Sequence, residues 1–169
     1  WSSDVCSSDL TEDNNGETFQ KQFTINITNQ NDTPTDISLS KDSIDEKSII
    51  RTTIGTFSTT DQDTGDTFTY SLVSGNGDTD NSDFTISGSN LLSNKVFDYE
   101  DQSSYSIRVQ TEDNNGETFQ KQFTINITNQ NDTPTDIILS NNSIDENSII
   151  ETQIGIFSTT DQDTGDSFT

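Results

Sequence analysis

The sequence predicts an all-β protein: a seven-stranded Greek-key β-sandwich, repeated in tandem. Three observations point there. Residues 11–69 recur at 111–169, with differences only at 38, 41, 42, 47, 51, 53, 56 and 67, which is eight of 59 positions. A period of 100 residues has the size of a whole domain, not of a solenoid unit. Within one period, short segments alternate apolar and polar residues at period two, the pattern of a half-buried strand. Acid-, Asn- and Gly-rich turns separate those segments, and no sustained 3.6-residue period occurs.

Residues 1–10, WSSDVCSSDL, hold the single Trp and the single Cys. They back-translate to TGG AGT TCA GAC GTG TGC TCT TCC GAT CT, which resembles the end of a sequencing-library adapter. Repeat identity starts at Thr11, where this segment stops. Residues 1–10 are therefore expected to be an adapter artefact, foreign to the native gene and packed against nothing specific. Without Cys6 the remaining sequence has no cysteine, so disulfides cannot stiffen it.

Residues 11–33 read as the C-terminal part of one repeat. Glu12–Gly16 is a turn, and Phe19, Phe23, Ile25 and Ile27 then share one strand face. Asn29–Pro34 is a polar connector; Pro34 lacks a backbone donor and suits a boundary. Residues 34–133 read as a complete repeat of seven strands. These lie near 36–40 (Ile37, Leu39), 49–58 (Ile50, Ile54, Phe57), 67–73 (Phe68, Tyr70, Leu72), at Phe84 and Ile86, at Leu91 and Leu92, over 103–111 (Tyr105, Ile107, Val109), and at Phe119, Phe123, Ile125 and Ile127. The predicted core is Tyr70, Leu72, Tyr105, Ile107, Val109, Phe123 and Ile125. The loop Gly75–Asp83 has the composition of part of a calcium loop but lacks the helical flanks and closing Glu, and reads as solvated. Residues 134–169 restart the pattern as the N-terminal part of the next repeat, with too few strands to close a sandwich.

Thirty acidic residues against seven basic ones give a formal charge of −23. Nucleic acid and anionic membrane surfaces are poor partners for such a chain. No apolar run reaches the ~18 residues of a membrane-spanning helix, so no direct membrane insertion is expected here. The absence of His excludes His-based catalytic dyads and zinc clusters. Most aromatic residues fall on inward strand positions, which leaves no stacking groove for a glycosidase carboxylate pair. The chain reads as a non-enzyme.

The acids gather where strands end: Asp45-Glu46, Asp61-x-Asp63, Asp98-x-Glu100, Glu112-Asp113 and Asn131-Asp132. Hard cations such as calcium take about six to eight oxygens from carboxylates, amides and backbone carbonyls. A domain end lined by these groups could supply them.

Six stretches carry a resemblance to bacterial cadherin-like repeats, within the immunoglobulin-like sandwiches. They are Ser43-Ile-Asp-Glu46, Ile54-Gly-Thr-Phe-Ser-Thr-Thr-Asp-Gln-Asp63, Phe68-Thr-Tyr-Ser-Leu-Val-Ser-Gly75, Phe97-Asp-Tyr-Glu100, Val109-Gln-Thr-Glu-Asp113 and Asn129-Gln-Asn-Asp-Thr-Pro134. Each is short; their order and spacing make the match, which covers 11–169. The resemblance implies calcium ions held between consecutive sandwiches. At the 133/134 junction it implies Glu46, Asp98 and Glu100 from the upper domain, Asn129, Asn131 and Asp132 from the connector, and Asp161 and Asp163 from the lower domain. At the 33/34 junction it implies Asn29, Asn31, Asp32, Asp61, Asp63 and Asp113. The family connector usually opens with aspartate. Asn29 and Asn129 stand there instead, offering an amide oxygen but no charge.

The function so implied is that of a calcium-rigidified extracellular spacer or adhesion module of a large bacterial surface or secreted protein. Its partners would be the neighbouring repeats, and a surface protein (homophilic or heterophilic) or a polysaccharide. The alternative is an accessory polysaccharide- or protein-binding module attached to a secreted enzyme.

Overall fold

The computed structural model describes residues 5–169, with side chains from Leu10 onward. Residues up to Asp32 form one compact unit and Thr33–Thr169 form another.

In the first unit, β1 (Val5–Glu12) and β2 (Thr18–Ile25) form an antiparallel hairpin. Asp13 closes its turn: Oδ1 accepts the amides of Asn15 and Glu17, each at 2.9 Å. The expectation that residues 1–10 pack against nothing fails from Val5 onward, because Val5 pairs with Ile25 and the ladder continues to Glu12. Residues 1–4 lie outside the described residues. The register equals that of the complete repeat, where Tyr105 faces Ile125. It places Ser7 and Asp9 at the positions of Ile107 and Val109, so the repeat's apolar alternation is missing from β1.

The second unit contains the complete sandwich. Its strands are β3 (Asp36–Leu39), β4 (Ser43–Asp45), β5 (Thr53–Thr60), β6 (Thr69–Leu72), β7 (Phe84–Ser87), β8 (Asn90–Ser93), β9 (Ser104–Glu112) and β10 (Thr118–Thr128). One sheet has the order β3-β5-β8-β7 and the other β4-β10-β9-β6. Eight segments arise from seven expected strands because the first strand divides between the sheets. β3 runs antiparallel to β5; the chain then crosses over, and β4 runs parallel to β10.

The core lies between the two sheets. On β9 the alternation is complete: Tyr105, Ile107 and Val109 are buried, and Ile125 faces them from β10. Tyr70, Leu72 and Phe123 pack against this core half-buried. Phe97, outside any strand, joins Phe84 and Tyr105 in an aromatic cluster with ring centroids 4.8 to 6.0 Å apart. Ile50, expected to face in, is 55% exposed. Residues 47–52 form turns instead of strand, with Lys47 and Arg51 at positive φ, and β5 begins only at Thr53.

The 74–83 segment keeps an exposed surface, with no buried residue, but docks its inner side on β9. β6 pairs with β9 only as far back as Val109. Beyond it, the amides of Ser106 and Arg108 donate to Asp80 Oδ2 (2.7 Å) and Asn81 Oδ1 (3.0 Å), and Arg108 Nη1 donates to Asn76 O (3.0 Å). These side chains stand in for a strand neighbour and cover an edge that would otherwise be open.

After the connector, β11 (Asp136–Leu139) and β12 (Phe157–Thr160) pair in the register of β3 and β5. Ile137 and Phe157 are 69% and 71% exposed, whereas Ile37 and Phe57 are buried. The second sheet that covers the latter pair is missing from 134–169.

Candidate metal centre

The 133/134 junction is assembled by Glu46. The parallel pairing of β4 with β10 brings this residue to the end of the sheet, where its amide donates to Thr128 O at 3.1 Å. Its side chain is fully buried. Oε1 accepts the Gln130 amide at 2.7 Å and Oε2 the Tyr99 amide at 3.0 Å. One carboxylate thus ties the connector to the 97–100 turn. Burial pushes the Glu46 carboxyl up, but the two amides and the Lys47 ammonium outweigh it and hold it below the usual glutamate value.

Around this anchor, Glu46, Glu100 and Asp132 each bring one oxygen to within 4.8 Å of the others. The next repeat adds Asp161, Asp163 and Asp166, grouped as closely. Asp163 joins the two sets: its Oδ2 accepts the Asp132 amide, and its Oδ1 accepts Asn129 Nδ2 at 3.3 Å. Burial raises the Glu100 carboxyl, and the charges of Glu46, Asp163 and Asp132 raise it further.

Asp98 takes a different partner. Both its oxygens accept Gln162 Nε2, at 2.8 and 2.9 Å, and this contact holds its carboxyl below the usual range. It links upper and lower repeats but stands outside the carboxylate triads. In the connector, Gln130 Nε2 donates to Asn129 O (2.9 Å) and Asn131 Nδ2 to Asp132 O (2.6 Å).

Within the second unit the same grouping of acids recurs one repeat earlier. Asp61, Asp63 and Asp66 group within 4.8 Å. Asp63 N donates to Asp61 Oδ1 at 2.8 Å, as Asp163 N does to Asp161 Oδ1 at 2.9 Å. Burial raises the Asp66 carboxyl, with Asp63, Asp113 and Asp61 adding to the effect. Asp113 is buried, and its Oδ1 accepts the amides of Asn115 (2.8 Å) and Glu117 (2.9 Å). Asn29, Asn31 and Asp32 belong to the first unit. There Gln30 Nε2 donates to Asn29 O (3.0 Å) and Asn31 Nδ2 to Asp32 O (3.2 Å), the connector pattern seen again at 129–132.

Asp66 and Asp166 were not anticipated. The Asp-x-Asp pairs were visible in sequence, but the third acid enters through the turn at Gly65 (φ 103°) or Gly165 (φ 101°), which folds it back onto the pair. Lys47 was also missed; its signal is a basic residue directly after Glu46 in a chain with only seven.

The residues present fit a hard cation. Asp61 Oδ2, Asp66 Oδ2, Glu100 Oε2, Asp132 Oδ2 and Asp161 Oδ2 are buried and accept no hydrogen bond. A buried carboxylate oxygen without a partner is costly, and these five lie within the groups where a cation would satisfy them.

No family model matches the sequence, and no curated protein matches it. Solved structures do. A protocadherin gammaB7 EC3-6 cis-dimer structure superposes with a TM-score of 0.59 at 25% identity over 79% of this chain. Extracellular cadherin domains 1-5 of protocadherin Gamma B2 give 0.58 at 19% over 96%, and the human desmocollin-1 ectodomain 0.58 at 20% over 92%. The chain spans 32% to 39% of those structures' lengths. The fold is a cadherin-like β-sandwich.

Proposed function

We propose that the chain is a non-enzymatic, calcium-rigidified spacer segment of a large extracellular adhesion protein, of the bacterial surface or secreted type its repeats resemble. The observation that carries this reading is the set of buried, unpartnered carboxylate oxygens on both sides of the 133/134 connector. Glu46, Glu100, Asp132, Asp161, Asp163 and Asp166 are the carboxylates that would hold calcium there. Asn129 and Asn131 frame the connector, and Asp98 braces the two repeats through Gln162. Asp61, Asp63, Asp66 and Asp113 would form the lower half of a second site. Bound calcium would offset the mutual repulsion of these acids. Neighbouring repeats are the first partners, and similarity to adhesion ectodomains favours an adhesive role over an accessory module on an enzyme.

Calorimetric titration of the chain with calcium, and melting in calcium against chelator, test the reading. Free calcium at about ten times Kd should stabilise the chain by about 1.4 kcal/mol. The double variant Glu100→Gln, Asp132→Asn should lose most of the heat and shift arising at the 133/134 junction. Identical melting in calcium and chelator, with no binding heat, would refute it.

A further inference from the structure

Lys47 occupies the junction as a cation already. Its Nζ lies 2.5 Å from Asp132 Oδ1, 3.6 Å from Glu46 Oε1 and 3.4 Å from Gln130 O. One of those atoms belongs to the upper sandwich and two to the connector, so the ammonium bridges the same two elements that a metal ion would. The backbone aims it there: Lys47 N donates to Phe97 O at 2.9 Å, and φ is 59°. That left-handed conformation suits Asn better than Lys. The equivalent residue in the next repeat is Asn147, at φ 65°. Position 47 is one of only eight that differ between the copies, and 134–169 contains no basic residue.

We infer that Lys47 is a resident cation of the 133/134 junction that competes with calcium for Asp132 and Glu46, so that this junction fills at higher calcium than one carrying Asn at the same position. The inference rests on the calcium reading of the junction. An ammonium fixed on Asp132 Oδ1 must leave before that oxygen can enter a metal's coordination sphere. It partly neutralises the site beforehand, which weakens the field that attracts a divalent ion. In exchange, it keeps the connector tied to the upper sandwich when calcium is scarce. Junctions differing only at this position would stiffen at different calcium concentrations.

The test compares the whole chain with Lys47→Asn and with Lys41→Asn. Both substitutions remove one positive charge, and both copy the residue of the next repeat, but only the first touches the junction. Lys47→Asn should tighten calcium binding at the weakest resolved site roughly three- to tenfold. In chelator it should lower the melting temperature by about 1–5 °C. Lys41→Asn should do neither. Calcium bound equally by all three proteins, or more weakly by Lys47→Asn, would overturn the competition while leaving the calcium site standing. Absence of calcium binding in all three would instead remove the site itself, and the competition with it.

Discussion

Tyr105 combines the legible and the hidden at the scale of one residue. Its inward position follows from alternation along β9, and it is 2% exposed. The partner of its hydroxyl does not follow: Lys95 Nζ, at 3.4 Å, comes from a segment with no periodicity. Burial pushes the Tyr105 phenol above 10.0. For Lys95, burial acts downward, but the bond to Tyr105 and the charges of Tyr105, Asp83 and Asp101 together outweigh it and push the amine up. Both groups bind their protons more tightly folded than unfolded, so both contributions are full below about pH 10 and are lost as pH rises through the folded values. Tyr105→Phe should cost about 0.5–1.5 kcal/mol at neutral pH, the worth of one modest hydrogen bond. It should also make the alkaline fall in melting temperature shallower than in the wild type. Parallel curves for the two proteins between about pH 9.5 and 11.5 would contradict this.

At the scale of elements, strands with regular alternation were readable, and features set by distant partners were not. The division of the first strand depends on Gly55, fifteen residues after Ser40 and on a different strand. A Cβ at Gly55 would run into the Lys41 carbonyl, with Leu39 Cδ1 at 2.9 Å and Lys41 N at 3.0 Å. The ladder of β5 with β8 is irregular between Thr53 and Gly55, beside the 40–42 segment where the chain crosses between sheets. Gly155 has the same surroundings at Asn141 and Leu139. Gly55→Ala should therefore destabilise the sandwich by about 1–3 kcal/mol, as overpacking against backbone does, measured by denaturant unfolding. A change within a few tenths would show that the crossover relaxes freely. The docked 74–83 segment was hidden for a related reason. Its polar composition reads as loop, and only the unpaired stretch of β9 gives Asp80 and Asn81 their partners. The candidate centre divides the same way. The resemblance to cadherin-like repeats pointed to Glu46, Glu100, Asp132, Asp161 and Asp163. The diversion of Asp98 to Gln162 and the return of Asp66 and Asp166 depend on turn and side-chain geometry.

At the scale of the molecule, a formal charge of −23 makes two electrostatic responses separable. Exposed acids repel one another through water, and any salt screens them; the Debye length is about 10 Å at 0.1 M. Sodium chloride should therefore raise the melting temperature gradually, without saturation at low concentration. The junction acids lie inside that length: their oxygens converge within 4.8 Å, and several are buried without hydrogen bonds. Mobile counterions screen such groups poorly. A divalent ion that replaces the missing contacts should act at millimolar concentration and then saturate. Magnesium, which demands a tighter octahedral shell and gives up its water reluctantly, should do less than calcium. The measurement is melting temperature against ionic strength in sodium, magnesium and calcium chloride. Calcium should exceed sodium at equal ionic strength, and the excess should shrink in the Glu100→Gln, Asp132→Asn variant. If sodium at matched ionic strength reproduced the whole calcium effect, the acids would be acting as a screened surface, and rigidity at the connector would have to come from the chain's own contacts, those of Glu46 and Lys47 together with Asp98–Gln162 and Asp163–Asp132.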